Sequence, residues 1–525
     1  MQLRPIIINL AIRNTPKPEK LKKIKKALIS VYYKDRLDEV ISVLKQFGVE
    51  IYSTGGTYDF IVDHGFEAHT IESLTGYPGI LGGRVKTLHP KVFGGILARP
   101  DQDSDISDLG QYEIPLFDLV VVDLYPFSET LAKTSNEDEI IEKIDIGGIS
   151  LIRAAAKNAA NVLIVPSSDY YDELLMLLKT KNCQTELVDR KKFAAYAFAV
   201  SSSYDTNIFC WMNNEFGLPK FRQSIDVSRK LRYGENPHQE GNFFGNLDLV
   251  FEQLHGKELS YNNLLDLEAG LSLIQEFEEP SFAILKHNNA CGIASRNSVS
   301  EAYLAALAGD PVSAFGGVLV SNRFIDEQSA SAINELFFEI IIAPGYDKNA
   351  LSLLETKKNR IILQQRDFRF PLKQFRSLLG GVLEQDRDLK TEFEANLNPV
   401  TALKPGTDET VDLIFANKIV KHTRSNAIVL VRNKQMLGSG IGQTSRVDAL
   451  KHAIAKAQEN GFDLQGAVMA SDAFFPFADS VKLAAEAGVR SVVQPGGSVR
   501  DQDSIEYCNQ AGISMVFTGT RHFKH

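Results

Sequence analysis

Two apolar runs flank a segment of helical periodicity near the start of the regular part of the chain. Residues Ala27–Val31 form the first run, apolar side chains recur at helical spacing over residues 37–44, and Val49–Tyr52 is the second run. Short apolar runs are typical of buried strands, and a period of about 3.6 residues is typical of an amphipathic helix. The pattern therefore predicts strand–helix–strand, the unit from which parallel α/β sheets are built.

The same kind of pattern continues for roughly two hundred residues. Leu119–Val122 and Val162–Val165 are short apolar runs typical of buried strands, and the alanine-rich stretch Leu151–Ala160 between them favours a helix. Residues 210–217 close this part, and a segment with the composition of a linker follows. We predict one α/β domain up to this point.

The second half of the chain shows one order of predicted elements twice: strand, turn, helix and strand. The first copy comprises Phe282–Leu285, Asn288–Gly292, Val299–Leu307 and Gly316–Val320. The second copy comprises Ala427–Val431, Gly438–Gly442, Val447–Gln458 and Ala467–Ala470. Two related lobes would produce this pattern, and so would a chance recurrence, because the order is common in α/β proteins.

Length and charge set the domain count and exclude several classes of protein. The chain has 525 residues, more than a single domain usually holds. We predict a basic N-terminal extension over residues 1–26, a first domain over residues 27–218 and a second over residues 219–525. The net charge of −9 argues against a broad surface for nucleic acid. No apolar run approaches the roughly 18 residues of a membrane span, so we predict a cytoplasmic protein that binds no membrane.

One segment of the first domain combines glycines with cations. Gly82–Lys91 reads GGRVKTLHPK, Ser53–Thr57 is a second glycine-containing turn, and Asp123 directly follows a predicted strand. Glycines let backbone N–H groups approach an anion, and open α/β sheets bind ligands at the carboxyl ends of their strands. We therefore predict a site for a phosphorylated substrate, with a plain tight turn as the alternative for Ser53–Thr57.

The second domain carries its own polar and aromatic groups. Lys286 and His287 end a predicted strand, which places a cation and an imidazole at its carboxyl end. Histidine is the commonest general base, although a single histidine is more often only packed. Residues 231–239 (LRYGENPHQ) concentrate Arg, Tyr, Asn and His, and residues 471–477 (SDAFFPF) suit either a flat ring or hydrophobic packing.

Twelve short segments along the chain match one family's motifs in order. They are GGRVKTLHP, DLYPF, IDIGG, RAAAKN, LRYGENPHQ, LSYNN, DPVSAFGG, IIAPGY, SNAIVL, SRVDA, SDAFFPFAD and RHFKH. Over about residues 27–525 the chain closely resembles the bifunctional purine biosynthesis family that combines AICAR transformylase with IMP cyclohydrolase. The resemblance implies formyl transfer from 10-formyltetrahydrofolate to AICAR, giving FAICAR, and cyclisation of FAICAR to IMP with loss of water.

The resemblance also implies a fold and partners. The fold class is α/β, with a methylglyoxal-synthase-like parallel α/β domain first and a transformylase of two cytidine-deaminase-like lobes after it. The implied partners are the small molecules AICAR, FAICAR and formylfolate and a second copy of the chain in a homodimer. No metal requirement is implied, and the zinc signature H-x-E…P-C-x-x-C of deaminases is absent from the sequence.

Matching motifs imply a set of cyclohydrolase residues. The residues implicated in ring closure are Lys86, Tyr125, Asp145 and Lys157. The nucleotide and its phosphate are expected at Ser30, Lys34, Ser53, Gly55, Gly56, Thr57 and Arg84. Ring closure needs a polarised carbonyl oxygen and a proton relay, which Lys and Tyr side chains supply, while Asp145 positions the amide.

Matching motifs imply a transformylase set as well. The catalytic residues are Lys286, His287 and Asn426. The substrate-binding residues are Arg232, Tyr233, His238, Arg446, Phe475, Asp479 and Arg521, with Phe474 beside Phe475 in the folate region. His287 is expected to accept a proton from the attacking amine, Lys286 to stabilise the developing charge, and Asn426 to orient the formyl group.

Three departures from the family's usual motifs leave alternatives open. The usual S-V-S-D-K reads SVYYK over residues 30–34, the usual N-L-Y-P-F begins with Asp123, and K-H-T-N-P-C-G reads KHNNACG with Ala290 for proline. The first two concern the cyclohydrolase, so a transformylase with a degenerate first domain is the alternative function. A nucleotide-sensing protein without enzymatic activity is a second alternative, which the presence of Lys286 and His287 disfavours.

Overall fold

The computed structural model describes residues 21–525, and the chain divides into two compact units. Unit 1 ends at Asp226, and unit 2 begins at Val227. The sequence places the division a few residues earlier, at 218/219. Residues 1–20 of the predicted N-terminal extension lie outside the described part of the chain.

Unit 1 is built on a parallel sheet of five strands. Its strand order is β4-β3-β2-β5-β6, with every neighbouring pair parallel, and β1 pairs antiparallel with β7 apart from this sheet. The strands are β1 (Lys22–Lys23), β2 (Lys26–Ser30), β3 (Glu50–Ser53), β4 (His69–Thr70), β5 (Leu119–Val122), β6 (Leu163–Val165) and β7 (Gln184–Thr185). The parallel sheet predicted from the apolar runs is confirmed.

Helices cover both faces of this sheet. They are α1 (Leu37–Gln46), α2 (Gly55–Asp63), α3 (Ile71–Thr75), α4 (Pro90–Leu97), α5 (Asp103–Gln111), α6 (Phe127–Lys133), α7 (Glu137–Ile141), α8 (Gly147–Lys157), α9 (Tyr171–Thr180) and α10 (Leu187–Phe216). Alternate strand residues enter two cores, one shared with α1 and α9 and one with α4 and α8. Strands buried on both faces explain why their sequences are continuously apolar.

The first described residues correct the predicted start of the fold. Lys22–Lys23 pairs with Gln184–Thr185, Ile24 is 1% exposed, and β2 already begins at Lys26. Residues 22–26 are therefore part of unit 1 and not of an extension. The lysines suggested a solvated segment. Their backbone groups instead hydrogen-bond to a strand about 160 residues away, and no local sequence pattern reveals such a distant partner.

Unit 2 contains one sheet of twelve strands and two short hairpins. The large sheet has the order β10-β15-β14-β13-β11-β12-β20-β19-β21-β22-β23-β18, and the two-stranded sheets are β8-β9 and β16-β17. The strands are β8 (Ser228–Lys230), β9 (Asn242–Phe244), β10 (Phe251–His255), β11 (Ser281–Lys286), β12 (Asn289–Ser295), β13 (Val318–Ser321), β14 (Ile340–Ala343), β15 (Ile361–Gln365), β16 (Lys373–Leu378), β17 (Gly381–Asp386), β18 (Asn398–Pro399), β19 (Ile428–Arg432), β20 (Gln435–Gly440), β21 (Val468–Ser471), β22 (Ser491–Gln494) and β23 (Ser514–Phe517).

The helices of unit 2 pack on both faces of the large sheet. They are α11 (Tyr261–Ile274), α12 (Val299–Gly309), α13 (Pro311–Ala314), α14 (Glu327–Asn334), α15 (Lys348–Leu354), α16 (Thr407–Lys421), α17 (Arg446–Glu459), α18 (Asp479–Glu486) and α19 (Asp501–Ala511). One core contains residues of α11 and α16, and two further cores contain residues of the other helices. Over residues 21–525, no helix has the length and apolar composition to cross a membrane.

The large sheet confirms the internal repeat. The orders β12-β11-β13-β14-β15 and β20-β19-β21-β22-β23 are the same arrangement, and the two halves meet where Ala294 of β12 pairs with Gln435 of β20. In each half a serine N-cap starts the helix after the hairpin: Ser298 accepts from the Glu301 N–H, and Ser445 accepts from the Asp448 N–H. We call the halves lobe 1 and lobe 2.

The predicted turns of the repeat are wrong in extent. Most of residues 288–292 and the first part of residues 438–442 lie in β12 and β20, the second strands of hairpins. The glycines that suggested turns instead permit close helix packing. A Cβ on Gly292 would lie 1.8 Å from the Ala306 carbonyl oxygen, and one on Gly440 would lie 1.7 Å from the Ala449 carbonyl oxygen.

Candidate active sites

The candidate residues of unit 1 gather at the carboxyl ends of three strands. From β2 the chain runs to β3 and β4 on one side, and later to β5 and β6 on the other, so the sheet has a switch point between β2 and β5. Ser30 is the last residue of β2, and Asp123 follows β5 directly. Ligands of open α/β sheets bind in the crevice at such a point. The sequence-based position of the site is consistent with this geometry.

The hydroxyl groups expected at the phosphate have backbone partners. Ser53 Oγ donates to the Ile29 carbonyl at 2.7 Å, and Thr57 Oγ1 donates to the Val31 carbonyl at 2.9 Å. Both side chains are buried. Gly55 and Gly56 lie exposed in the first turn of α2, and Ser30 Oγ lies 2.9 Å from Thr54 Oγ1. The glycine amides are therefore the better-placed phosphate donors, and the Ser53 and Thr57 side chains hold the strand end.

Lys86 lies against the glycine turn at the start of α2. A Cβ on Gly83 would lie 2.7 Å from Lys86 Cε, and a Cβ on Gly55 would lie 3.3 Å from Lys86 Nζ. The glycines thus leave room for the lysine side chain, which the sequence pattern alone does not show. The Lys86 ammonium and the N-terminus of α2 together favour an anion between them.

The other two expected cations of unit 1 are differently placed. Arg84 forms an exposed ion pair with Glu142, and this partner raises the pKa of the guanidinium. The Arg84 guanidinium therefore already has a carboxylate partner. Lys34 donates to the carbonyls of Val31 and Tyr32, and burial lowers the pKa of its ammonium. Lys34 therefore lies close to the end of β2, as expected.

Asp145 acts as the N-terminal cap of α8 in the structure. Its Oδ1 accepts from the Gly148 N–H at 2.5 Å and the Ile149 N–H at 3.2 Å, and its carboxylate also accepts from the Tyr125 N–H. Burial raises the pKa of Asp145, while these backbone donors lower it. Tyr125 is thereby tied to Asp145, and the Tyr125 side chain stays 44% exposed. The two expected catalytic residues are brought together, with Asp145 in a structural role that the sequence did not indicate.

Lys157 is not brought to this group within the chain. It is the last residue of α8, whereas Asp145 precedes the first. An eleven-residue helix is about 15 Å long, so the two residues lie at opposite ends of it. Asp145 and Lys157 are twelve residues apart in the sequence. This spacing indicates a large distance between them only if the intervening residues are known to form one continuous helix.

The two departures near the cyclohydrolase motifs contact each other. The Asp123 carboxylate accepts from the backbone N–H groups of Tyr32 and Tyr33, and burial raises its pKa to about 6. The Tyr32 ring lies edge-on to the Tyr125 ring at 5.7 Å, and Lys143 Nζ lies about 6 Å from both rings. Tyr32 and Lys143 are thus neighbours of Tyr125 that sequence reasoning missed, although the unusual tyrosine was a signal.

In unit 2 the Lys286–His287 pair lies at the tip of a tight hairpin. Lys286 ends β11 and its Nζ donates to the Phe315 carbonyl at 2.8 Å. His287 and Asn288 form the two-residue turn, with φ of 54° and 66°, and the His287 side chain is exposed. An exposed imidazole on a defined turn is not a packed core histidine, so the packing alternative for His287 is wrong.

Asn289 connects this turn to the loop that carries Asn426. Asn289 Nδ2 donates to the His287 carbonyl at 2.9 Å, and Asn289 Oδ1 accepts from the Arg424 N–H at 3.1 Å. Next to Arg424, the Ser425 N–H donates to the Lys524 carbonyl at 2.9 Å. His287, Asn426 and the C-terminal segment are therefore gathered in one region. Sequence reasoning missed Asn289, since a buried amide in an Asn-Asn pair looks like ordinary turn composition.

Arg446 and Arg521 lie beside the same C-terminal segment. Arg446 donates to Ser471 Oγ at 3.1 Å and to Asp472 Oδ1 at 2.9 Å, and both guanidinium groups face the Phe523 ring, at 5.8 Å for Arg446 and 4.3 Å for Arg521. Arg446 is thus held by a buried carboxylate. The structure brings both expected anion-binding residues of lobe 2 together.

Arg232 and Tyr233 adjoin the start of α11. Arg232 N donates to the Leu259 carbonyl at 3.2 Å, and its guanidinium donates to Tyr233 Oη at 2.8 Å. The helix α11 that follows also carries Asp266, whose Oδ1 accepts from the Asn288 N–H at 2.6 Å. The helix thereby links this motif to the His287 turn. His238 lies exposed in the loop beyond.

The structure contradicts one expected folate-binding residue. Phe475 is fully buried in the core of lobe 2, and its N–H donates to Gln494 Oε1 at 3.0 Å. Phe474 and Phe477 are the exposed rings of the loop, at 38% and 50%, and Asp479 is exposed at the start of α18. Adjacent phenylalanines point to opposite sides of an extended segment, so composition could not decide which ring faces solvent.

Comparisons with known proteins agree with the two-unit architecture. Residues 36–150 match the model of the MGS-like domain, and residues 155–456 match the model described as AICARFT/IMPCHase bienzyme. A Bacteroides thetaiotaomicron protein described as bifunctional purine biosynthesis protein PurH is 58% identical over 504 residues, covering 96% of this chain and 99% of that protein. Proteins of the same description from Persephonella marina and Aquifex aeolicus are 44% and 45% identical, each covering 95% of this chain and 100% of that protein. A solved structure titled crystal structure of ForH is 34% identical over 35% of this chain and 97% of its own, with a TM-score of 0.32, too low to bear on the fold.

Proposed function

Because the chain belongs to the AICARFT/IMPCHase bienzyme family, we propose a division of its two activities between its two units. The chain is a bifunctional enzyme of purine biosynthesis, with AICAR transformylase and IMP cyclohydrolase activities. Unit 1 catalyses the cyclisation and unit 2 the formyl transfer. The main support is that the Lys286–His287 turn, the Asn426 loop and the C-terminal segment gather within unit 2 alone.

The cyclisation in unit 1 rests on Lys86 and Tyr125. The amides of Gly55 and Gly56 at the start of α2 hold the substrate phosphate, with the Lys86 ammonium beside them. The carboxamide nitrogen attacks the formyl carbon, the carbonyl oxygen gains a proton, and water leaves. Tyr125 and Lys86 move these protons. Asp145 keeps the Tyr125 backbone in place through the Tyr125 N–H. The proposal leaves the contribution of Lys157 to experiment.

The formyl transfer in unit 2 rests on His287. The attacking group is a weakly basic aromatic amine, so its proton must leave as the new C–N bond forms. The His287 imidazole accepts that proton, Lys286 stabilises the negative charge that develops on the formyl oxygen, and Asn426 orients the formyl group. Formylfolate supplies the formyl group: its formyl C–N bond breaks as the new one forms, and tetrahydrofolate leaves with a proton on the released nitrogen, a departure that Lys286 assists. Arg446, Arg521 and Arg232 bind the nucleotide, and Phe474 takes the place in the folate region that Phe475 cannot occupy.

We also propose a cytoplasmic homodimer with 10-formyltetrahydrofolate as co-substrate. The hairpin β16–β17 supports a second copy as partner, because Leu379 and Leu383 are 100% and 60% exposed on it. Sedimentation should give twice the 58.2 kDa of one chain. A monomer at micromolar concentration would contradict the proposed dimer, whereas the proposed reactions are tested separately by the assays below.

One set of assays on the full-length protein tests the division. Wild-type enzyme with AICAR and 10-formyltetrahydrofolate should yield IMP, followed by absorbance and identified by chromatography. His287→Ala should lower the formylation kcat by about 10²–10⁴-fold and still cyclise supplied FAICAR. Lys86→Ala should formylate AICAR and accumulate FAICAR, whereas Lys25→Ala, which removes an exposed cation before β2, should behave as wild type.

Three outcomes would count against the proposal. A His287→Ala variant that melts normally and formylates normally ends its catalytic assignment. A Lys86→Ala variant with unchanged IMP production removes Lys86 from the mechanism. Wild-type protein that formylates AICAR but never cyclises FAICAR supports the alternative of a degenerate first unit.

A further inference from the structure

The two lobes of unit 2 share one detail of their hairpins. His287 and Asn288 join β11 to β12, and Asn433 and Lys434 join β19 to β20. All four residues have positive φ, between 52° and 66°. A two-residue turn with both residues left-handed matches the twist of the strands but is unfavourable for side chains other than Gly and Asn. Each turn therefore needs support from its surroundings.

A carboxylate on the preceding helix supplies that support in both lobes. Asp266 on α11 accepts from the Asn288 N–H at 2.6 Å. Asp412 on α16 accepts from the Asn433 and Lys434 N–H groups, each at 2.7 Å. The carboxylate precedes the first turn residue by the same number of positions in both lobes, from 266 to 287 and from 412 to 433. We call this contact, in which a helix carboxylate accepts hydrogen bonds from the turn amides, the clamp. Because it recurs at the same spacing, the clamp is part of the duplicated architecture.

The two clamps differ in what they face. Asp412 is 6% exposed and its two oxygens are used by the two turn amides. Asp266 holds the second turn amide only, and its carboxylate interacts with the charge of His287. Burial raises the pKa of Asp266, while the Asn288 N–H and His287 lower it and Glu339 raises it further. Lobe 2 has no histidine in its turn, and Asp412 there interacts with the two turn amides and with the charges of Lys434 and Arg296.

We propose that Asp266 is a positioning residue of the transformylase. Its carboxylate fixes the turn that presents His287 and stabilises the imidazolium that forms when His287 takes the amine proton. The inference rests on the proposed role of His287 in formyl transfer. Asp412 is the matched control, because it makes the same kind of clamp on a turn without a catalytic residue.

Asparagine substitutions at both positions test the inference on full-length enzyme. Asp266→Asn keeps an oxygen for the Asn288 N–H and removes the charge. We expect its formylation kcat to fall about tenfold, while KM for AICAR changes by less than threefold. Cyclisation of supplied FAICAR should be unchanged.

Asp412→Asn should lower the melting temperature of unit 2 and leave kcat per folded enzyme within about twofold of wild type. Wild-type kcat in Asp266→Asn, or equal kcat losses in both variants, would overturn the inference. If Asp266→Asn does not fold, Asp266→Glu, which moves the carboxylate by one methylene, should lower kcat, and an unchanged kcat there would equally overturn the inference. Wild-type enzyme without formylation would instead refute the proposed function.

Discussion

His522 near the C-terminus should make unit 2 less stable as the pH rises above neutrality. Its side chain is 2% exposed and lies between two carboxylates, with Nδ1 at 2.6 Å from Asp388 Oδ2 and Nε2 at 2.9 Å from Glu392 Oε2. Burial alone would lower the pKa of His522. Hydrogen bonds and charge from the two carboxylates outweigh it and raise the pKa from 6.5 to about 9. The perturbation we consider is His522→Gln, which keeps amide donors and removes the titrating charge.

The direction of the effect follows from proton binding. A pKa that is higher in the folded than in the unfolded chain contributes stability that is complete below pH 6.5 and lost as the pH rises through about 9. The partners have lowered pKa values, so their contribution is present above about pH 4.5 and is lost in acid. The full contribution of the cluster therefore lies between about pH 4.5 and 6.5.

The size of the effect is limited by solvent. The shift corresponds to at most about 3 kcal/mol. Because the Asp388 side chain is 48% exposed, water screens this interaction, and about 1–2 kcal/mol is the realistic contribution. For a unit of this length that amounts to a few degrees in melting temperature, by roughly 2 °C per kcal/mol.

Urea unfolding of wild type and His522→Gln at pH 6, 7.5 and 9.5 measures it. The difference in free energy of unfolding between the two proteins should shrink by about 1–2 kcal/mol from pH 6 to pH 9.5. His525→Gln, which changes an exposed histidine three residues on, should track wild type at every pH. A wild-type advantage that stays constant or grows with pH would refute the reasoning.

Three further outcomes follow from contacts already described. The pKa of Asp123 is raised from 3.8 to about 6, so the folded state holds this proton more tightly than the unfolded state. Between pH 4 and 6 the wild type should therefore lose about 2 kcal/mol of unfolding free energy relative to Asp123→Asn. Unfolding free energies from urea titrations that change in parallel with pH in the two proteins would contradict this. Gly292→Ala should cost more than about 2 kcal/mol, because its Cβ would overlap the Ala306 carbonyl. Gly381→Ala, whose Cβ would have 3.8 Å of clearance, is the control in thermal melts. Gly83→Ala should displace the Lys86 side chain. Cyclisation should then slow at least tenfold, which corresponds to an activation barrier higher by about 1.4 kcal/mol. An unchanged FAICAR turnover would show that Lys86 acts from another position.

Local patterns in the sequence were enough for several central elements and their order. The apolar run Ala27–Val31 and the periodic segment after it became β2 and α1, because strand and helix periods are written in consecutive residues. The doubled order of elements in unit 2 became two lobes of one sheet for the same reason. The identities of the chemical groups, such as the Lys286–His287 pair and the glycines and cations of residues 82–91, were also visible in the sequence.

Contacts between distant parts of the chain were decided only by the tertiary structure. Lys22 pairs with Thr185, and Asn289 bonds to Arg424, 135 positions away. Phe475, not Phe474, entered the core because the backbone of that loop selects which ring is buried.

The roles of the carboxylates show the same limit. Asp145 and Asp266 look alike in the sequence, as each lies directly between two apolar residues. One caps α8 and ties Tyr125, and the other clamps the His287 turn. The role of each carboxylate depends on which N–H groups lie within hydrogen-bonding distance of it. The packing of helices against strands decides this, and adjacent residues in the sequence do not indicate that packing. The sequence alone determined the central strands and helices of each unit and the chemical groups that the chain contains, and the fold decided which of those groups meet.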